Sequence, residues 1–93
     1  MKLLIACGTG MMCSTIIRMK VENLLKDTNY QVEIEQCRFD EIKAHLNDVD
    51  LLILAAEIET HYDVPTIIAY NYLSENNEKA VDEQILNFLK HHI

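Results

Sequence analysis

No apolar run in this 93-residue chain approaches the ~18–20 residues needed to cross a bilayer. The opening run, residues 3–7, is too short for the core of an export signal. The chain therefore reads as cytoplasmic, with no direct membrane insertion. Tryptophan is absent, proline occurs once, and there are two glycines, Gly8 and Gly10. Cys7, Cys13 and Cys37 form no C-x-x-C pair, which argues against a thioredoxin-like redox site. Their odd number, with no secretory signal, argues against a disulfide framework. Zinc spacing is missing around the four histidines, so the sequence asks for no metal and no cofactor. Positive charge is scarce: eight Lys and Arg face fifteen Asp and Glu, for a net charge of −7. Nucleic acid, whose phosphates need clustered cations, is not an expected partner.

What remains is an ordinary globular balance and enough chain for one domain, 1–93, around one hydrophobic core. Residues 2–6, KLLIA, read as a strand apolar on both faces and hence central in a sheet. From Ser14 to Asp27, Ile17, Val21, Leu24 and Leu25 form the stripe of an amphipathic helix, with Ser14 or Cys13 as its cap. Residues 30–37 alternate, Val32 and Ile34 on one face, Gln31, Glu33 and Glu35 on the other, as on an edge strand with one wet face. A short helix over 39–46 follows, then a doubly apolar strand over 50–56. A polar crossing, "EIETHYD", leads to a strand over 64–70 that Pro65 can only begin. Val81, Ile85, Phe88 and Leu89 stripe a last helix starting after "SENN". This alternation predicts an α/β fold, a small three-layer, Rossmann-like sandwich. Its four-stranded parallel sheet should run in the order 2-1-3-4, with right-handed crossovers. The topological switch point, where open α/β sheets bind ligands, then lies at the carboxyl ends of strands 1 and 3.

Strand 1 runs out at Cys7, and "CGTGMMCST" leads into the helix. A strand-to-helix loop is an anion site by construction, because the first helical N–H groups lack internal partners and the helix dipole adds partial positive charge. Gly8 and Gly10 admit inward-turned amides, and Thr9, Ser14 and Thr15 add hydroxyls. The same field favours thiolate at Cys7, since cysteines at helix N-termini fall to pKa values of about 3.5–7.5. The sulfur is expected to project into a ring of main-chain amides. Cys37, with no glycine near it, reads as buried packing. Arg18 reads as a solvated helix residue, and Met11 and Met12 as a docking patch at the loop tip.

Other loop identities fail on particular residues. Gly8 and Gly10 begin a G-x-G-x-x-G, but Cys13 stands where the third glycine belongs. No lysine precedes Ser14, so the ATP-binding loop is missing. A cysteine-dependent phosphatase of low-molecular-weight type carries C-x5-R-[ST]. Cys7 and Ser14 have that spacing, yet position 13 is Cys and the bidentate guanidinium is lost. That phosphatase and a non-enzymatic anion-binding module stay open as alternatives. Equipped to accept a phosphoryl group and poorly equipped to hydrolyse it, the loop fits a carrier.

"KLLIACGTGMMCSTII" resembles the start of the enzyme IIB components of the bacterial phosphoenolpyruvate-dependent sugar phosphotransferase system, especially the galactitol type, with the ascorbate type as near relative. The resemblance continues through "ENLLK", "QCRFDEI", "DLLILAA", "YDVPTIIAYNYL" and "VDEQILNFLK". It implies a phosphotransferase in sugar transport. Cys7 would accept phosphoryl from a phosphohistidine on a IIA partner and pass it to a sugar or polyol imported by a membrane IIC partner. Carried over by position, Gly8, Thr9, Gly10, Met11, Met12, Cys13 and Ser14 form the phosphate-binding loop, or P-loop. Met12 replaces a usually smaller residue and Cys13 a usual Thr or Ser.

Overall fold

A computed structural model describes residues 1–8 and 12–92. Four strands, β1 Lys2–Cys7, β2 Glu33–Arg38, β3 Leu51–Leu54 and β4 Thr66–Ile68, pair in parallel in the order β2-β1-β3-β4. The expected α/β sheet and strand order are both found. β1 is apolar at nearly every position because it is paired on both edges and covered on both faces, and Leu3 through Cys7 are wholly buried. β2 is the edge strand that its alternation required.

Two apolar layers flank the sheet. Leu3, Ile5 and Cys7 share one with Leu51 and Ile53. Helices α1 (Met12–Leu25), α3 (Tyr70–Ser74) and α4 (Glu78–His92) supply its cover. From them come Ile17 and Val21, Tyr72, and Val81, Ile85 and Leu89, the last three at i, i+4 and i+8. Leu4 and Ala6 face the other layer with Cys37, Leu52 and Leu54. There the cover is thin. A 3-10 turn, Phe39–Glu41, runs into a one-turn helix, α2 Ile42–His45. Ile58, Tyr62 and Val64 of the segment after β3 complete it. The charges of that segment suggest solvation throughout; instead its apolar side chains stand in for a missing helix over β3 and β4.

Two element boundaries differ from expectation. α1 begins at Met12, so Cys13 and Ser14 lie inside the first turn rather than capping it. Its far end is closed by Thr28, whose amide and hydroxyl both donate to the Leu25 carbonyl, at 3.0 and 2.7 Å. β4 stops at Ile68, and α3, which the sequence pattern does not announce, follows at once. The Tyr72 amide donates to the Ala69 carbonyl at 3.0 Å, so the chain turns off the sheet there. Tyr72 is 1% exposed and its hydroxyl donates to Asp82 on α4. Burial and that carboxylate push the phenol upward from its ordinary value. Across the same junction Lys20 of α1 pairs with Glu78 at 2.6 Å.

With so few glycines, left-handed backbone falls to other residues: Asp48 (φ 69), Glu75 (φ 55) and Asn77 (φ 55). Asp and Asn tolerate that region through local side-chain hydrogen bonds, whereas Glu does so poorly. Glu75 ends α3 with its N–H bonded to the Asn71 carbonyl, an arrangement that favours glycine. Glu75→Gly should therefore raise the unfolding free energy by up to about 1 kcal/mol in urea titration. Ile85→Ala, which opens a cavity under the wholly buried position in α4, should lower it by about 2–5 kcal/mol.

Candidate functional site at the carboxyl end of β1

Alternation along β1 sends Leu3, Ile5 and Cys7 to one face. Cys7 is the last of them, and the next described helix, α1, starts five residues on. The residue is 0% exposed and packs with Ile17 and Val21 of α1. In place of a sulfur standing open before a ring of amides, the thiol is enclosed, because strand parity turns it to the side that α1 covers. Of the loop residues carried over from the resemblance, Thr9, Gly10 and Met11 lie outside the described residues. Gly8 is exposed, and a Cβ added there would meet the Phe39 ring at 3.7 Å, ordinary contact. Met12 is 75% exposed, Cys13 is half-buried against the core, and Ser14 is wholly buried.

The first turn of α1 is tied to β2 by a residue that no motif singles out. Gln36 donates from Nε2 to Ser14 Oγ at 3.0 Å and to Thr15 Oγ1 at 3.1 Å. Its Oε1 accepts from Arg18 Nη1 at 3.2 Å, and Arg18 also pairs with Glu22 at 3.4 Å. Arg18 is thus engaged rather than merely solvated. A signal was there to find: Gln36 shares parity with Val32 and Ile34, so a polar side chain occupies a core-facing position of an otherwise apolar row. Phe39, the neighbour of Gly8, is held by the turn after β2. Glu41 accepts from the Arg38 N–H at 3.0 Å, and that bond lowers its carboxyl pKa.

Cys37 faces the opposite layer from Cys7, next to Ala6 in register. It is 2% exposed, and its thiol is pushed up to about 11 by desolvation first, then by the charges of Glu41 and others. It is buried packing, as its surroundings in the sequence imply.

Sequence comparison decides what this arrangement belongs to. The profile of the family described as PTS system, lactose/cellobiose specific IIB subunit, matches residues 2–84. The chain belongs to the IIB family of the phosphotransferase system. It is 33% identical over 84 residues to the Escherichia coli K12 protein named "Putative phosphotransferase enzyme IIB component SgcB", covering 90% of this chain and 91% of that one. It is 28% identical over 90 residues to the galactitol-specific EIIB component of the same organism, 96% of each chain. An ascorbate-specific EIIB component of Mycoplasma pneumoniae is 27% identical over 85 residues, 87% of this chain and 90% of the relative. The resemblance seen in the first sixteen residues thus extends along the chain, to a IIB protein of galactitol type with ascorbate-type relatives. This IIB protein is a phosphotransferase with a phosphotransfer role in sugar uptake. Among the described residues no helix is long and apolar enough to cross a membrane.

The Cys37 environment makes a direct prediction. In the folded IIB protein, alkylation of Cys37 by iodoacetamide should be negligible at pH 8 and should rise only as the pH nears 11. In urea it should react near pH ~8.5–9. Because the folded pKa is raised, this thiol's contribution to stability is intact below about pH 9 and is lost as pH rises through 11. Peptide mass mapping across a pH series measures both.

Proposed function

We propose that Cys7 is the phosphoryl acceptor of this IIB protein, and that residues 8–14, Gly8, Thr9, Gly10, Met11, Met12, Cys13 and Ser14, form the loop that holds the transferred group. The supporting observation is the coincidence at one point of the last residue of central β1, the switch point of the sheet, and the hydroxyl-bearing first turn of α1. The donor is a phosphohistidine on a IIA protein. The Cys7 thiolate attacks phosphorus in line; the S–P bond forms as the P–N bond breaks, and its electron pair returns to the imidazole. In the second step a hydroxyl of the sugar or polyol, presented by a membrane IIC partner, attacks the same phosphorus. The O–P bond forms, the S–P pair returns to sulfur, and the hydroxyl proton passes to a base of IIC or to water. The galactitol-specific relatives favour a polyol. The 93 residues work as a single cytoplasmic domain between two protein partners.

Enclosure of Cys7 suits such a carrier. A wholly buried sulfur cannot reach a free phosphate ester, so a docked donor has to uncover it. Met12, Ile16 and Met19, spaced i, i+4 and i+7 along α1, are the exposed apolar residues beside the loop. They form the surface on which the IIA donor docks, a refinement of the loop-tip patch expected at Met11 and Met12. The alternative phosphatase reading lacks a guanidinium at position 13, and Arg18 is already shared between Gln36 and Glu22.

Incubation with labelled phosphoenolpyruvate, the general phosphotransferase proteins and a cognate IIA should place label on Cys7, and Cys7→Ser should take none. Label persisting on a histidine in that variant, or turnover of an aryl phosphate without partners, overturns the proposal. Met12→Asp with Met19→Asp should raise the IIA concentration at half-maximal rate by about 10-fold or more, as loss of interface anchors does, and leave the melting temperature within a few degrees. An unchanged half-saturation point sinks the docking surface alone.

A further inference from the structure

The polarity of the Gln36 network carries information that its distances alone do not. A guanidinium only donates, so the Gln36 atom facing Arg18 at 3.2 Å has to be the carbonyl oxygen. The amide NH2 therefore faces the two hydroxyls, and it donates one N–H to Ser14 Oγ and one to Thr15 Oγ1. Each hydroxyl, accepting from the amide, retains its own O–H as a donor. Glu22 holds Arg18 from the other side at 3.4 Å. Orientation thus passes from Glu22 to Arg18, from Arg18 to the amide, and from the amide to both hydroxyls.

We infer that Gln36 is a positioning residue for phosphoryl transfer: locked by Arg18, it fixes Ser14 and Thr15 as O–H donors toward an anion at the start of α1. The inference rests on the proposed role of Cys7. Gln36 touches neither sulfur nor phosphorus; it acts through the hydroxyls. An unconstrained hydroxyl can turn a lone pair toward a phosphoryl oxygen and repel it. Donors set in advance need no reorganisation when charge builds on the equatorial oxygens. The alignment matters more here because the site is charge-poor: position 13 is a thiol, and Arg18 meets the anion only through this relay.

Single-turnover transfer from phosphorylated IIA to Cys7, followed by rapid quench, tests the assignment. Gln36→Glu keeps size but accepts both hydroxyl protons. Its rate at saturating donor should fall about 10- to 100-fold, with the half-saturating donor concentration unchanged, a split that a loosened fold would not produce. Gln36→Met, which releases the hydroxyls without reversing them, should lose less. In a Ser14→Ala, Thr15→Val background either change should cost no further rate, because the groups it acts through are gone. A wild-type rate in Gln36→Glu, or an equal loss in both backgrounds, overturns the inference. Should Gln36→Glu fail to fold by circular dichroism, the Gln36→Met comparison across the two backgrounds decides it alone: additivity overturns, non-additivity supports. Absence of label on wild-type Cys7 would instead sink the acceptor assignment, and this inference with it.

Discussion

β1 is paired on both edges and covered on both faces, so its register cannot slip without turning every side chain to the wrong layer. A shift of one residue would move Cys7 from the α1 side to the layer that holds Cys37. The parity is pinned from both neighbours. Leu3 to Ala6 pair with Leu51 to Leu54 on one edge, and Lys2 to Cys7 with Glu33 to Arg38 on the other. The arrangement at the carboxyl end is largely a consequence of that register. Cys7 lies under the helix that the same chain is about to form, and Arg38 is its partner across the strand. Phe39, one residue on, therefore lies within reach of Gly8.

The two faces of the sheet are asymmetric, and the asymmetry is useful. The α1 layer is deep, with α3 and α4 locked to α1 through the Lys20–Glu78 pair and the Tyr72–Asp82 hydrogen bond. Desolvated, partner-bound groups of this kind resist movement more than surface pairs do. They hold α1 from its solvent-distant side, while Gln36 holds its first turn from β2. A helix fixed at both places presents its N-terminal groups with little freedom, as a site that must meet developing charge requires.

Much of this is legible in the sequence, and the parts that are not have a common cause. Period-two and period-3.6 patterns mark the four strands, α1, α4 and the sheet order, because burial of one face leaves its trace on every second or every third and fourth residue. α3 escapes because "IIAYNYL" is equally apolar as strand or as one turn of helix, and only tertiary packing of Tyr72 decides. The covering role of Ile58, Tyr62 and Val64 escapes because three apolar residues in a polar stretch carry no period. Gln36 escapes for a different reason. Val32 and Ile34 make a clean apolar row, and the one polar member that breaks the row is the informative one.

The distribution of cations ties the fold to the chemistry. Arg18 is shared by Gln36 and Glu22, Lys20 is paired with Glu78, and Arg38 lies within 3.4 to 3.6 Å of Asp40 and Glu41. On the proposed reading, then, the phosphoryl group meets dipoles rather than a bare guanidinium: helix N–H groups and two aligned hydroxyls. Dipoles fixed in place can follow the charge of a transition state, whereas a bidentate cation would also stabilise the resting phosphocysteine. A carrier has to give its cargo up again. A weakly cationic cradle, in a chain whose net charge is −7, keeps the phosphorylated state close in free energy to the states before and after it. The missing arginine at position 13, which first argued against hydrolysis, argues equally for reversible transfer.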